Sequence, residues 1–366
     1  MTDRTAAAPP SAHSYPCAKC GARVEFAPGT DALRCPYCGH LQPMAQAPGQ
    51  VRERSFDELA AMPRKPVGSL APHAFVCQKC GAHTESDTLS LRCQFCGAPL
   101  VAEVDPAMSV VPEAVLPLQL DRAAAGAALR RWTSSRWFAP SSLKKVTNSE
   151  STKATYVPHW TYDARTVSRY DGQRGEHYYV TESYTETVNG KTEHRTRQVQ
   201  HTNWYSADGT VSRDFDDVLV VGTGRLTQDQ LDDLTPWPLE RVVGYRPDYL
   251  AGHAALRYDV EPEAGLVTAK ARMATIIEGD CEQDIGGDEQ RVDSVDTTYA
   301  AVTFKLLLLP IWIAAYLHGG RTYQVLINGC TGEVSGQRPY SAAKIAAATV
   351  AALLVILVVV LLYLMA

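Results

Sequence analysis

No long run of like charge is present. Lys and Arg number 35 and Asp and Glu 40, a formal net charge of −5 over 366 residues. So mild a balance selects no electrostatic partner. Residues 1–105 hold ten basic and ten acidic side chains, without the basic footprint that phosphate binding needs. No Gly-x-x-x-x-Gly-Lys-Ser/Thr loop occurs, which excludes P-loop nucleotide chemistry; Val221-Gly222-Thr223-Gly224-Arg225 lacks the lysine. There is no Gly-x-Ser-x-Gly elbow and no His-Glu-x-x-His helix, so serine-hydrolase and zinc-protease chemistry have no motif to stand on. Residues 1–16 have no apolar h-region, so no secretory signal is expected.

Cysteine is not scarce. Eight of the ten cysteines fall in two copies of one pattern, Cys17–Gly39 and Cys77–Gly97. Each runs Cys-x-x-Cys-Gly-Ala, an intervening stretch, then Leu-Arg-Cys-x-aromatic-Cys-Gly. Two residues between the cysteines of a pair let one tight turn aim both sulfurs at one ion. Gly21, Gly39, Gly81 and Gly97 supply the positive φ of that turn. Cys17, Cys20, Cys35 and Cys38 are one expected zinc set; Cys77, Cys80, Cys93 and Cys96 are the other. Rubredoxin-type iron uses a similar knuckle, but with its pairs further apart. Four thiolates close the coordination shell, so both Zn²⁺ ions are expected to be structural. The 14 and 12 residues between pairs leave room for a hairpin, in the first copy Arg23–Phe26, a turn at Pro28-Gly29, then Ala32–Arg34. A thiolate pattern of this kind fits a reducing compartment. Cys281 and Cys330 pair with nothing and read as ordinary thiols.

The remainder predicts a larger α+β domain. Residues 43–72 read as a linker holding one short helix, with the capping-box spacing at Ser55–Glu58 and a stop at Pro63. Asp121 is the expected N-cap of a helix reaching Trp137, with Trp132, Trp137 and Phe138 as core anchors. Tyr156 to Val221 alternates as strands, with turns expected at Asn189-Gly190 and Asp208-Gly209. Lys191, Arg195 and Arg197 read as a solvated strand face, and Asp214–Asp217 as a strand-entry loop. A helix is expected over 261–279.

Two apolar runs compete for a membrane. Leu306–Leu317 offers only 12 uncharged residues and contains Pro310, which suits buried strands. Ile345–Ala366 has no charged side chain over 22 residues, and as a helix spans about 33 Å, enough for a hydrocarbon core of about 30 Å. Arg338 and Lys344 precede it and no basic residue follows, which predicts a tail anchor with the bulk of the chain cytoplasmic.

The fold class expected is therefore α+β multidomain. It comprises zinc ribbons at 13–42 and 73–101, the linker, a β-rich domain with helices at 118–340, and a transmembrane helix at 345–366. That layout resembles a bacterial family of TFIIB-type zinc-ribbon membrane proteins, often labelled after the primosomal helicase. The resemblance rests on the two cysteine modules, Tyr156-Val157-Pro158-His159-Trp160, Phe215-Asp216-Asp217-Val218, Leu309-Pro310-Ile311-Trp312 with Tyr316, and Tyr323–Gly329 through Thr331–Gly336 to Arg338–Ser341. It implies a non-enzymatic adaptor at the inner face of the plasma membrane that holds phage-shock-protein-A-like and flotillin-like SPFH proteins. Lipid is the expected partner of the C-terminal helix. Nucleic-acid binding through the ribbons is the alternative. The oligomeric state stays open.

Overall fold

The computed structural model describes residues 16–44, 51–61, 65–66, 73–77, 82–86, 93, 95, 101–102, 108–135, 153–188, 191–318, 321–336 and 342–365. The first module is a three-stranded sheet of β1 (Glu25–Phe26), β2 (Ala32–Arg34) and β3 (Leu41–Pro43). Gly29 turns the hairpin at φ +74°, and Phe26 pairs with Leu33. This module does not project from the molecule. Val24, Phe26 and Leu33 alternate onto one face, and that face is buried against Leu118, Leu129, Leu250 and Ala251. Phe26 N donates to Ala251 O at 2.9 Å and Gly29 N to Leu118 O at 2.9 Å, while the Phe26 and Tyr249 rings meet edge-on at 5.3 Å.

The second module is tied in differently. Its hairpin is β4 (His73–Val76) and β5 (His83–Ser86). β5 pairs with a strand of the main sheet, Ala255 opposite Glu85 and Leu256 opposite Thr84. Between the modules, Arg54–Ser55 pairs with the main sheet and Phe56–Ala61 forms a 3₁₀ helix. Pro63 lies outside the described residues. Helix α1 (Arg122–Ser134) starts at Asp121, whose Oδ1 accepts from Ala124 N at 2.8 Å. Trp132 packs on its inner side, whereas Trp137 and Phe138 lie outside the described residues.

The main sheet is built on three very long strands. β6 (Lys153–Val188) has 36 residues, β7 (Lys191–Val221) has 31, and β9 (Glu289–His318) has 30. A typical strand has about 5–6 residues; at about 3.3 Å per residue β6 extends about 120 Å. β6 is central, antiparallel to β7 on one side and to β9 on the other. β8 (Ala254–Leu256) runs parallel to the start of β6. β10 (Arg321–Asn328) returns along β9, and β11 (Val334–Gly336) along β10.

Helix α2 (Pro262–Ile285) lies along this sheet, longer than the expected 261–279. Gly265, Ala269, Met273, Ile277, Cys281 and Ile285 repeat every four residues and are the buried stripe. They meet Trp160, Tyr162, Ala164, Tyr170 and Phe215. A Cβ on Gly265 would stand 2.3 Å from Tyr162 Oη, so only glycine lets the helix start this close to the sheet. Polar bonds fix its length: Trp160 Nε1 to Val260 O at 2.8 Å, Tyr162 Oη to Pro262 O at 2.6 Å, and Tyr170 Oη to Asp284 Oδ2 at 2.6 Å. Burying Met273 and Ile277 contributes about 1.5–3 kcal/mol each.

Two expected loops are instead parts of β7. Asp208-Gly209 is not a turn; these residues pair with Asp171 and Tyr170 in mid-strand. The glycine is needed because Tyr170 crosses it, and a Cβ there would lie 2.5 Å from the phenol oxygen. Asp214–Asp217 is not an entry loop either. The strand continues through it with a register shift opposite Tyr162 and Ala164, and Asp217 takes φ +52°. The connection at Asn189-Gly190 lies outside the described residues, between the paired Val188 and Lys191.

Leu306–Ile313 is buried strand in the centre of the sheet, as its length and Pro310 predicted. Helix α3 (Ala342–Met365) contains one segment, Lys344–Leu364, long and apolar enough to cross a membrane, and none of it is buried against the rest of the chain.

Candidate metal centre and its surroundings

The sulfurs of Cys17, Cys20, Cys35 and Cys38 all lie within 4.8 Å of one another. Cys17 to Cys38 and Cys20 to Cys35 are both 3.6 Å. Tetrahedral Zn²⁺ with bonds of about 2.3 Å separates its sulfurs by about 3.8 Å, so the four residues fit the ion without rearrangement. Both knuckles have the same turn: Gly21 N donates to Cys17 O at 2.8 Å, Gly39 N to Cys35 O at 3.0 Å, and each glycine has φ +70°. Lys19 N points at Cys17 Sγ from 3.4 Å.

The backbone prepares thiolates. The Cys38 amide, followed by that of Tyr37, holds the Cys35 thiol down to about 7 against its burial. Burial pushes the Cys17 thiol up, but the Lys19 and Cys20 amides and the neighbouring sulfurs outweigh it and the thiol is lowered. Cys20 is raised to about 12, because hydrogen bonding to Cys38 and Cys35 outweighs the Ala22 amide. Without a cation, four adjacent sulfurs cannot all ionise; Cys20 keeps its proton until a metal displaces it. Cys17 and Cys35 are buried and Cys20 and Cys38 exposed, so the ion would sit between the protein body and solvent, with Tyr37 81% exposed beside it.

In the second set, Cys77 and Cys93 are buried beside Phe95 and Ala82. Cys77 N donates to Ala82 O at 2.9 Å, repeating the Cys17 N to Ala22 O bond of the first module at 2.6 Å. Cys80 and Cys96 lie outside the described residues.

A second polar cluster was not legible in the sequence as a unit. Glu53, Asp163, Asp216 and Asp217 converge where the β6, β7 and β9 registers shift. Lys305, buried, sits among them, 3.0 Å from Glu53 and 2.5 Å from Asp217. Asp163 accepts from Asp217 N and from Thr303 Oγ1, each at 2.7 Å. Burial opposes the Lys305 charge, but Asp217 and Glu53 raise its affinity for the proton overall. Burial and the neighbouring Glu53 carboxyl raise Asp163. The ammonium pairs with two of the four carboxylates and Asp163 is held by Asp217 N and Thr303 Oγ1, which marks the cluster as a structural knot. Its signals in the sequence are the close carboxylates Asp214, Asp216 and Asp217, which could bind a cation but read as a strand-entry loop, and a lone lysine opening the run Leu306–Leu309.

Of the segments that carry the family resemblance, those around His159 and Asn328 are packing devices, and residues 338–341 lie outside the described residues. His159 is fully buried with Nδ1 2.8 Å from Val157 O. Asn328, also fully buried, donates from Nδ2 to Leu234 O at 2.8 Å and accepts at Oδ1 from the amides of Cys330 and Thr331. Cys330 is half-buried, its thiol pushed up to about 12 by burial, and the buried Cys281 is raised as well. At the far end of the β6–β7 hairpin, Arg195 pairs with Glu186 at 2.9 Å and Arg197 with Glu182 at 3.0 Å.

Residues 10–41 match the zinc-ribbon family described as "DNA directed RNA polymerase, 7 kDa subunit". The chain is 24% identical over 336 residues to "Uncharacterized protein YdjG" of Bacillus subtilis (strain 168), an alignment covering 91% of this chain and 92% of that protein. No solved structure matches. The first four cysteines thus form a zinc-ribbon site by sequence and by geometry.

Proposed function

We propose that this chain is a membrane-anchored zinc-ribbon adaptor, not an enzyme, that holds other proteins at the inner face of the plasma membrane. The observation that carries this reading is α3, an apolar helix with no protein cover, joined to a body stiffened by a four-cysteine ribbon. In this reading α3 is a single pass and Lys344 marks its cytoplasmic end. The second module, Cys77, Cys80, Cys93 and Cys96, holds a second structural Zn²⁺. The recruited proteins are those the family resemblance implies, phage-shock-protein-A-like and SPFH-like. Because both modules are tied to the main sheet, the adaptor presents one continuous surface and not beads on a flexible tether.

Carbonate extraction tests the anchor. Full-length protein is expected in the membrane pellet and a chain ending before Ala342 in the soluble fraction; full-length protein in the soluble fraction refutes it. The likeness of residues 10–41 to a polymerase subunit favours a second reading, in which the ribbon binds nucleic acid. Against it stand the even charge of residues 1–105 and the internal pairing of Arg195 and Arg197. Sub-micromolar binding of duplex DNA at physiological salt would establish the second reading, since non-specific contact gives about 10⁻⁴–10⁻⁶ M.

A further inference from the structure

The β6–β7 hairpin is longer than the strand that flanks it. β9 pairs with β6 only as far as Gly175 opposite Glu289. Beyond that point β6 continues to Val188 with β7 on one side and no described strand on the other. The overhang of 13 residues reaches about 43 Å.

The fold shows which backbone groups face the gap. Gly175 O accepts from Asp288 N at 2.9 Å, and His177 N donates to Asp288 Oδ2 at 2.7 Å, both on the β9 side. Strand alternation then turns the N–H and C=O of Tyr179, Thr181, Ser183, Thr185 and Thr187 to the same side. Asp288 therefore caps the first position, and the open window runs from Tyr179 to Thr187 with Ser183 at its centre. Such an edge is a template for another strand.

We propose that this window pairs antiparallel with the same window of a second copy, about a two-fold axis at Ser183. The register is self-complementary. Thr181 falls opposite the second copy's Thr185, Ser183 opposite Ser183, Glu182 opposite Tyr184 and Val180 opposite Glu186. No like charges stand directly opposite one another. Glu182 and Glu186 already hold Arg197 and Arg195 of their own hairpin. The length fits too: pairing Tyr178–Val188 leaves positions 176 and 177 opposite residues 189 and 190 of the second copy, so it stops short of Glu289. A second copy is the occupant because the window is bounded by Asp288 at one end and by the end of the paired hairpin at the other, and its register upon itself sets no like charges directly opposite. Copies held by α3 in one membrane also meet at raised effective concentration. Among the described residues no strand pairs with the outer edge of β7 either, and none bounds a window on it. The pairing is independent of which proteins the adaptor recruits.

The test uses full-length protein in native membranes, with p-benzoyl-L-phenylalanine at the exposed Tyr179. Irradiation is expected to give a dimer in which residues 178–188 of the two copies are joined. Adding Thr181→Lys with Thr185→Lys sets lysine against lysine twice across the seam and should cut the dimer yield at least fivefold. Thr181→Lys with Thr185→Glu sets opposite charges together in the same register and should keep it. Both threonines are exposed, so neither pair threatens the fold. Ser183→Pro removes an N–H that points into the gap and no bond to β7, and should also abolish the dimer. Cross-links only to another protein, cross-links through β7, no cross-link, or a yield indifferent to the two-lysine variant would each overturn the pairing.

Discussion

His159 gives the most quantitative handle on the fold. Its ring is fully buried, Nδ1 donates to Val157 O, and Nε2 has no hydrogen-bond partner among the described residues. Burial opposes charging the ring and lowers it from 6.5 to about 4, only partly offset by the Val157 carbonyl. In the unfolded chain the same ring takes its proton near 6.5. The folded value is depressed, so the contribution is complete above 6.5 and is lost as pH falls towards 4. Between pH 7.5 and pH 5 the loss is about 2 kcal/mol, from 0.59 kcal/mol times the logarithm of the two proton-binding ratios. The assay is denaturant unfolding of the detergent-solubilised full chain at both pH values, followed by tryptophan fluorescence. His159→Asn keeps a donor for Val157 O and removes the titration. The variant is less stable at pH 7.5 because the shorter side chain leaves a void, but its loss between the two pH values should be smaller than the native protein's by about 2 kcal/mol. Loss of zinc on acidification affects both proteins and cancels in the difference. Equal pH dependence in the two would show that His159 is charged or solvated in the fold, and the packing described around it would be wrong.

Other perturbations have sharper local readouts. Cys17→Ser should lower zinc by one ion per chain, and because Phe26 and Leu33 pack on Leu118 and Leu129, it should also loosen the main core as seen by hydrogen exchange. Lys305→Met leaves Asp217 and Glu53 without their cation; with Glu53 partly exposed, the cost is about 2 kcal/mol, below the 3–5 of a fully buried pair, and Asp217→Asn in the same chain should recover part of it by denaturant unfolding. Gly209→Val drives a side chain into Tyr170 and should cost at least about 1–3 kcal/mol in the same assay, while Tyr170→Ala should relieve the clash.

The parts of this molecule that repeat a local chemical rule were legible in the sequence. The first cysteine knuckles, the Asp121 cap, the Gly29 turn and the apolar C-terminal helix each follow from a few neighbouring residues. What escaped depends on distant partners. Asp208-Gly209 carries a turn signature, and only the Tyr170 ring across the ladder converts it into strand. Asp214–Asp217 reads as a loop until Lys305, 88 residues or more away in sequence, supplies the charge that lets it lie in a sheet. The hairpin of the first ribbon was legible, but the burial of its Val24, Phe26 and Leu33 face against the main domain was not. A module this small has no second layer of its own to cover that face, so the cover had to come from the main domain.

The account's central claim is that a membrane-held body recruits proteins. Its most direct test is affinity purification of the tagged full-length chain from detergent-solubilised membranes, with nuclease present, and quantitative mass spectrometry of what co-purifies. The account predicts the chain in the membrane fraction with membrane-stress proteins of the phage-shock-A and SPFH types enriched in amounts comparable to the bait, and unaffected by nuclease. A chain recovered from the soluble fraction, or one whose companions are released by nuclease, would contradict it.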